Sequence, residues 1–247
     1  MPRFFVRTNQ ISNDNIDIIG EDVKHIKNVL RKQIGDKIEV CNQDTGDSYK
    51  CEIKNFSEDE IKTNIIEKLK NIQEKVQVDI YQGLPKSDKM ELIIQKSVEL
   101  GANAIIPVNM KRCVVKLEGK DEAKKTDRWQ KIAESAAKQC GRSFIPEVKN
   151  LINVKDICNL INEYDAIIVA YENEKENTLK SELQKLDSAN LKIGIVIGPE
   201  GGISEKEIEM FEGLNFKLVS LGKRILRTET AGLVLASNII YELEEGE

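Results

Sequence analysis

The sequence predicts an α/β protein, a parallel sheet covered by helices on both faces, preceded by a smaller and mostly β module. Three observations carry this. From Val76 onward, short apolar runs alternate with segments whose apolar residues recur at helical spacing. Before Val76, apolar and polar residues mostly alternate, the pattern of half-buried strands. Near the C-terminus, two apolar runs end in glycine-bearing loops that lead into helical patterns.

In the first module, Val23, Ile26, Val29 and Leu30 lie at helical spacing, with Gly35 placed to end that helix. Strands are expected at 36–41, 49–56 and 60–69, with a turn at Asp44-Thr45-Gly46-Asp47 between the first two. The polar stretch 70–75 reads as a linker, which sets the domains at 1–72 and 73–247. Beyond it, 76–84 is a strand, and Ser87 opens a helix carrying Met90, Ile93, Ile94 and Val98 on one face, stopped by Gly101. A strand follows at 104–108. A helix from Thr126 carries Trp129, Ile132, Ala133, Ala136, Ala137 and Cys140 at the 3.6-residue period. Strands at 165–170, 192–197 and 216–221 alternate with helices at 177–186, from Ser204 and at 228–243. Ser204 and Glu207 have the spacing of a capping box.

The 247 residues, 40% hydrophobic, suffice for one large domain or two smaller ones. No apolar run approaches the roughly 20 residues of a membrane span. The start, Met1-Pro2-Arg3-Phe4-Phe5, lacks the pattern of a secretory signal, so a cytoplasmic protein with no membrane partner is expected. Five cysteines with no Cys-x-x-Cys pair, and one histidine, argue against a zinc site or a disulfide framework; free thiols and no metal are expected. The net charge of −5 argues against a nucleic-acid partner, but residues 84–149 hold 14 basic and 9 acidic residues. A local basic face binds phosphates even on an acidic protein; the other reading is a solvated lysine-rich surface.

The two loops are Ile197-Gly198-Pro199-Glu200-Gly201-Gly202-Ile203-Ser204 and Leu221-Gly222-Lys223-Arg224-Ile225-Leu226-Arg227-Thr228-Glu229-Thr230-Ala231. Open α/β sheets bind ligands at the carboxyl ends of their strands. Two such loops delivered side by side would make a small-molecule pocket; the other reading is a pair of ordinary βα turns. Gly198, Gly201, Gly202 and Gly222 let backbone groups approach a ligand closely. The first loop lacks the lysine of a phosphate-binding Gly-x-x-x-x-Gly-Lys-Ser/Thr loop, and the chain has no Gly-x-Gly-x-x-Gly dinucleotide fingerprint. The second loop adds Arg224, Arg227 and Glu229, charges a reaction needs; Arg227 and Glu229 serve equally well as caps of the last helix.

Together the two loops resemble the signature loops of the ribosomal RNA small subunit methyltransferase E family, in the SPOUT superfamily. Further segments resemble that family in the same order: Arg3-Phe4-Phe5, the run from His25 to Arg31 followed by Gly35, Lys96-Ser97-Val98-Glu99-Leu100-Gly101 with Pro107, and Trp129 to Ala137 with Gln139, Arg142 and Pro146. Cys113 and Cys140 stand where serine is usual, and Val98 where alanine or threonine is.

The resemblance implies a PUA-like β-barrel at 1–72, an RNA-binding module, and at 73–247 a SPOUT-type knotted α/β methyltransferase domain with a C-terminal trefoil knot. It implies a homodimer that uses S-adenosyl-L-methionine to methylate uridine N3 in 16S rRNA of the small ribosomal subunit, at the position conventionally numbered 1498. The donor pocket then comprises Ile197, Gly198, Glu200, Gly201, Gly202, Leu221, Gly222, Ile225 and Leu226. Arg227 is the expected stabiliser of charge developing on the base. Glu229 accepts the proton or holds Arg227. Glu200 orients an arginine, faces the sulfonium or is a plain turn residue. From charge and placement, Arg3, Arg7, His25, Arg31 and Lys32 in the small module, and Lys86, Lys96, Arg112 and Arg142 beside the pocket, are the candidate RNA contacts; His25 is otherwise an ordinary surface residue. Two other readings stay open: a SPOUT enzyme acting on another RNA by ribose 2′-O methylation, and a non-catalytic RNA-binding assembly factor.

Overall fold

The computed structural model describes residues 3–70, 75–186 and 190–244. The expected boundary near residue 73, and the linker residues 71–74 around it, lie outside the described residues. Two compact units divide the chain: Met1–Gln73 with Ala137–Ile145, and Glu74–Ala136 with Pro146–Glu247.

The first unit holds strands β1 (Arg3–Val6), β2 (Asn15–Ile19), β3 (Lys37–Asn42), β4 (Ser48–Phe56) and β5 (Glu60–Lys68), with the short helix α1 (Glu21–Lys24). They form one sheet in the order β1-β3-β4-β5-β2. β1 pairs with β3 in parallel, and the other pairs are antiparallel. β1 and β2 stand at the two edges, so the sheet is a half-barrel, open where a closed barrel would pair them. The alternation that predicted β3, β4 and β5 points Ile38, Val40, Cys51, Ile53 and Ile61 inward, each with no exposed surface. Phe4, Ile16, Ile18 and Ile26 complete that core. After α1 the chain continues as a wider π turn over His25–Val29. It then reverses at Arg31, whose φ is 52°. The helix therefore ends before Gly35, which serves the entry to β3 instead: its N–H donates to the Ile53 carbonyl at 2.8 Å. The segment Ala137–Ile145 is held in this unit by Lys138, 2.8 Å from Asp22, and by the Arg3 guanidinium, which donates to the Gly141 carbonyl.

The second unit contains β6 (Val76–Gly83), α2 (Lys89–Glu99), β7 (Ala104–Asn109), α3 (Lys120–Cys140, its last turn within the first unit), β8 (Glu147–Val148), β9 (Ile152–Asn153), α4 (Val154–Asn159), β10 (Ala166–Ala170), α5 (Leu179–Leu183), β11 (Leu191–Ile197), α6 (Glu205–Gly213), β12 (Lys217–Val219) and α7 (Thr228–Glu244). The sheet runs β12-β10-β11-β6-β7-β8, with β9 also on β7, and every recorded pair is parallel. The mixed α/β class expected from the strand–helix alternation is the one observed. Continuous apolar runs are what a sheet buried on both faces requires; Ile193, Ile195 and Val196 of β11 have no exposed surface. Tyr81, Val108, Val169 and Val196 pack with Phe211 and Phe216, whose rings stack 4.9 Å apart.

Helix starts follow local chemistry. Ser204 caps α6, its hydroxyl 2.6 Å from Glu207, which also accepts the Ser204 N–H at 2.9 Å. Ser87 lies outside α2 with φ of 56°, and Asp88 takes the cap position. Gly101, at φ 101°, ends α2 as expected. Among the described residues no helix is long and apolar enough to cross a membrane.

Candidate functional site

Strand order decides where the loops meet. The register sets Ile197 of β11 beside Gln82 of β6, and Ala170 of β10 beside Val219 of β12. Four neighbouring strands thus end at one edge of the sheet. β10 stands between β11 and β12, so the two glycine loops face each other across its end rather than leaving adjacent strands.

Between them lies a cavity of about 530 Å³, the size of a site for one small molecule. Ile197, Gly198, Glu200, Gly201 and Gly202 line it from the first loop, and Leu221, Gly222, Ile225 and Leu226 from the second. Arg227 also lines it, as do Tyr171 and Glu172 at the end of β10 and Lys89 at the start of α2. Backbone geometry makes the loops what they are. Gly222 has φ of 109°, a conformation L-residues avoid. Gly83 at the end of β6 packs so tightly that a Cβ there would lie 2.7 Å from Pro199 Cδ and 2.8 Å from Pro199 N.

Polar bonds fix the walls. Thr228, buried, donates through its hydroxyl to the Gly198 carbonyl at 2.6 Å, and the same hydroxyl accepts from Gln82 Nε2 at 2.9 Å. Gln82 has no exposed surface. Three chain segments are therefore locked together under the cavity. Arg112 donates to the Gly201 carbonyl at 3.1 Å and reaches Glu205 at 3.4 Å.

A charge cluster sits at the rim. Lys89 Nζ is 2.9 Å from Glu200 and 3.1 Å from Glu229. The Lys86 N–H also donates to Glu200, at 3.1 Å. Burial pushes both carboxyls up. For Glu200, the Lys89 hydrogen bond and charge with the backbone N–H groups of Glu200 and Lys86 outweigh it; for Glu229, its own N–H, Lys89 and Arg227 do. Both are held below the ordinary glutamate range, and hydrogen bonds to the two carboxylates raise Lys89 in turn. Arg227 leans only loosely on this cluster. Its Nη1 is 4.0 Å from Glu229, and its side chain is 80% exposed. The Arg227 carbonyl accepts from the N–H groups of Thr230 and Ala231 at 2.9 and 2.8 Å. Its backbone thus joins the first turn of α7.

The candidate RNA contacts separate by location. Lys86 and Arg112 lie at the pocket rim, exposed and bonded to the first loop. Lys96 lies further along α2 and pairs with Glu99 at 2.8 Å. Arg142, expected beside the pocket, belongs to the first unit and is only 8% exposed, its guanidinium 4.5 Å from the Phe144 ring centroid. A guanidinium over a ring face is attracted by the ring quadrupole. In the same unit Arg3 pairs with Glu39 at 2.9 Å, and Arg7 with Asp44 at 3.3 Å. His25 and Arg31 are exposed, and Lys32 is half-buried; His25 makes an edge contact with Phe4.

Sequence reasoning missed Lys89, Tyr171, Glu172, Thr228 and Gln82. Only Gln82 carried a signal, a polar residue at the end of a strand, directly before Gly83.

Two family models match the chain, an RNA methyltransferase domain over residues 72–240 and an RNA methyltransferase PUA domain over 18–66. The chain is 39% identical to the ribosomal RNA small subunit methyltransferase E of Bacillus subtilis, covering 99% of this chain and 98% of that protein. It is also similar to the crystal structure of a ribosomal RNA small subunit methyltransferase E from Neisseria gonorrhoeae bound to S-adenosyl methionine, at 30% identity and a TM-score of 0.84, over 97% of this chain and 96% of that one. A putative methyltransferase from Legionella pneumophila in complex with bound S-adenosylmethionine is 26% identical with a TM-score of 0.81, over 96% of both chains.

Proposed function

The chain belongs to the ribosomal RNA small subunit methyltransferase E family, and from that premise we propose that it methylates N3 of a uridine in 16S rRNA of the small ribosomal subunit, at the position conventionally numbered 1498. Its fold is the SPOUT-type α/β methyltransferase fold behind a PUA domain. The observation that carries the proposal is one cavity walled by both glycine loops, with Arg227, its side chain 80% exposed, among the lining residues.

The residues present fit S-adenosylmethionine. Glycine-rich backbone offers N–H and C=O groups to a purine edge, Ile197 and Leu226 give apolar walls, and Glu172 and Glu200 bring negative charge to a cationic ligand. When bound, the donor supplies an electrophilic methyl group on a sulfonium centre. The protein's own part is to position the base and to favour loss of its N3 proton. Positioning is worth up to roughly 7–11 kcal/mol of barrier. The N3 proton passes to solvent water, which leaves negative charge over N3 and the flanking carbonyls. Arg227, always cationic and with a planar donor fork, stabilises that charge. Of the two roles open to Glu229, its depressed pKa favours holding the charges around it over accepting a proton, since a weaker base takes a proton less readily.

The exposed cations of the first unit and those at the rim, Lys86 and Arg112, follow backbone phosphates in this reading. The homodimer and the C-terminal trefoil knot belong to the same proposal, as does action in the cytoplasm. For the dimer, the support is α7, apolar on most of its circumference yet leaving Tyr241 66% exposed, near α2 with Leu92 45% exposed; a helix apolar all round is normally buried. Calorimetry with S-adenosylmethionine tests the reading: saturable binding is expected, and no binding at millimolar donor would remove it.

A further inference from the structure

Lys89 is a charge that neither the loop motifs nor the resemblance singled out. It enters the site from the first residue of α2, while its two partners arrive from elsewhere: Glu200 from the first glycine loop and Glu229 from the first turn of α7. The convergence follows from the fold, since β6, which leads into α2, pairs with β11, and α2 packs on α7.

The two cations facing Glu229 are unequal in reach. Lys89 Nζ lies 3.1 Å from one carboxylate oxygen, whereas Arg227 Nη1 lies 4.0 Å from the other. Both carboxylates are mostly shielded, with side chains 27% and 15% exposed for Glu200 and Glu229, against 80% for Arg227. Coulomb attraction falls with distance and with solvent exposure, so the Glu229 charge is spent on Lys89 first.

We propose that Lys89 is a positioning residue that occupies Glu229 and so keeps the Arg227 guanidinium free to face the RNA base. Without the ammonium, Glu229 has one cation left within reach among the described residues, Arg227, separated from it in sequence by Thr228 alone. The fork that should meet the substrate carbonyls would instead close on a carboxylate of its own chain. Lys89 acts through Glu229 and touches no reacting atom in this scheme. Its role in turnover rests on the methyltransferase reading; its effect on the Glu229–Arg227 pair does not.

Two measurements on the full-length protein decide it. The first needs no RNA. The Glu229 carboxyl is titrated by carbon NMR with and without Arg227→Ala, in the native chain and in Lys89→Met. The groups facing Glu229 among the described residues are Lys89, Arg227 and, through Lys89, Glu200. The shift caused by Arg227→Ala is expected to be larger in the Lys89→Met background; an equal shift in both overturns the proposal. The second is turnover. Lys89→Met is expected to lower kcat roughly tenfold, the scale of coupling between charges in contact. Lys89→Arg is expected to keep most of it, and Lys89→Met with Glu229→Gln to recover most of the loss by removing the captor. A double variant no better than Lys89→Met overturns the proposal, because Lys89 would then not act through Glu229. If the native protein methylates no RNA, the functional reading fails and the titration alone decides the role of Lys89.

Discussion

The Thr228 hydroxyl donates to the Gly198 carbonyl at 2.6 Å, joining the first residue of α7 to the first glycine loop across the floor of the cavity. Gln82 donates to the same hydroxyl at 2.9 Å, so one threonine oxygen serves both as acceptor and donor. Thr228→Val keeps the shape and removes the bond. Leaving the buried Gln82 amide and the Gly198 carbonyl without this partner should cost about 1–3 kcal/mol. A lowered melting temperature and weaker donor binding are expected, with Thr228→Ser close to the native protein; an unchanged Thr228→Val would show that the loops are held by packing alone.

Gly83 and Gly222 separate close approach from backbone strain. A Cβ at Gly83 would meet Pro199 atoms at 2.7 and 2.8 Å, and a proline ring has little freedom to move. Gly83→Ala is expected to cost about 1–3 kcal/mol by overpacking and to distort the first loop. A Cβ at Gly222 meets nothing within 4 Å, and only its φ of 109° opposes a side chain. Gly222→Ala should therefore destabilise by about 1–2 kcal/mol while leaving the first loop in place. Chemical denaturation of the two variants, with donor titration of each, checks the contrast.

A buried network in the second unit should set the alkaline limit of stability. The Tyr81 and Tyr164 hydroxyls lie 2.7 Å apart, and Tyr164 donates to Asp79, also at 2.7 Å. Burial pushes the Tyr81 phenol up to about 12 and raises Tyr164 as well. A group whose pKa is raised by folding stabilises fully below its unfolded value, about 10 for tyrosine, and that stabilisation is lost as pH rises through the folded value. Unfolding free energy is thus expected to fall between about pH 10 and 12. Tyr81→Phe should flatten that fall and cost about 1 kcal/mol at neutral pH through its lost hydrogen bond. An equally steep alkaline loss in Tyr81→Phe would assign the effect to other groups.

Binding to small-subunit rRNA is expected to weaken steeply with salt, since each neutralised phosphate adds roughly 0.7–0.9 to the slope of log affinity against log salt. Arg7→Ala, Arg31→Ala and Arg112→Ala should each lower that slope by about one phosphate contact or less, whereas Arg142→Ala should act mainly on stability because Arg142 is buried against Phe144. A flat salt dependence would remove the phosphate-tracking role.

Much of this architecture was legible in the chain. The strands at 36–41, 49–56 and 60–69, and the apolar runs that became β6, β7, β10 and β11, declare themselves by period and by buried runs. β1 and β2, four and five residues long, were too short to show a period. α4 has six residues, a turn and a half, below any helical repeat. Gly35 misled because the reversal fell to Arg31, a non-glycine residue at positive φ. At the site, every residue expected to wall the pocket does line the cavity, since strand ends and glycines fix loops locally. Lys89, Glu172 and Thr228 were not legible: their roles come from strand order and helix packing, which bring together residues as far apart as Gln82 and Thr228, 146 positions distant in the chain.

Arg227 carries the chemistry in this reading, so Arg227→Ala should lower turnover far more than donor affinity, by roughly 10²-fold or more if it stabilises developing charge as an oxyanion-hole donor does. Equal losses in turnover and donor binding would make it a structural residue.

The most direct test supplies labelled S-adenosylmethionine to the protein with unmodified small ribosomal subunits, with naked rRNA and with tRNA, followed by mapping of the labelled nucleoside. The expected product is 3-methyluridine in the small-subunit rRNA. Label on a ribose hydroxyl, or on tRNA, would contradict it.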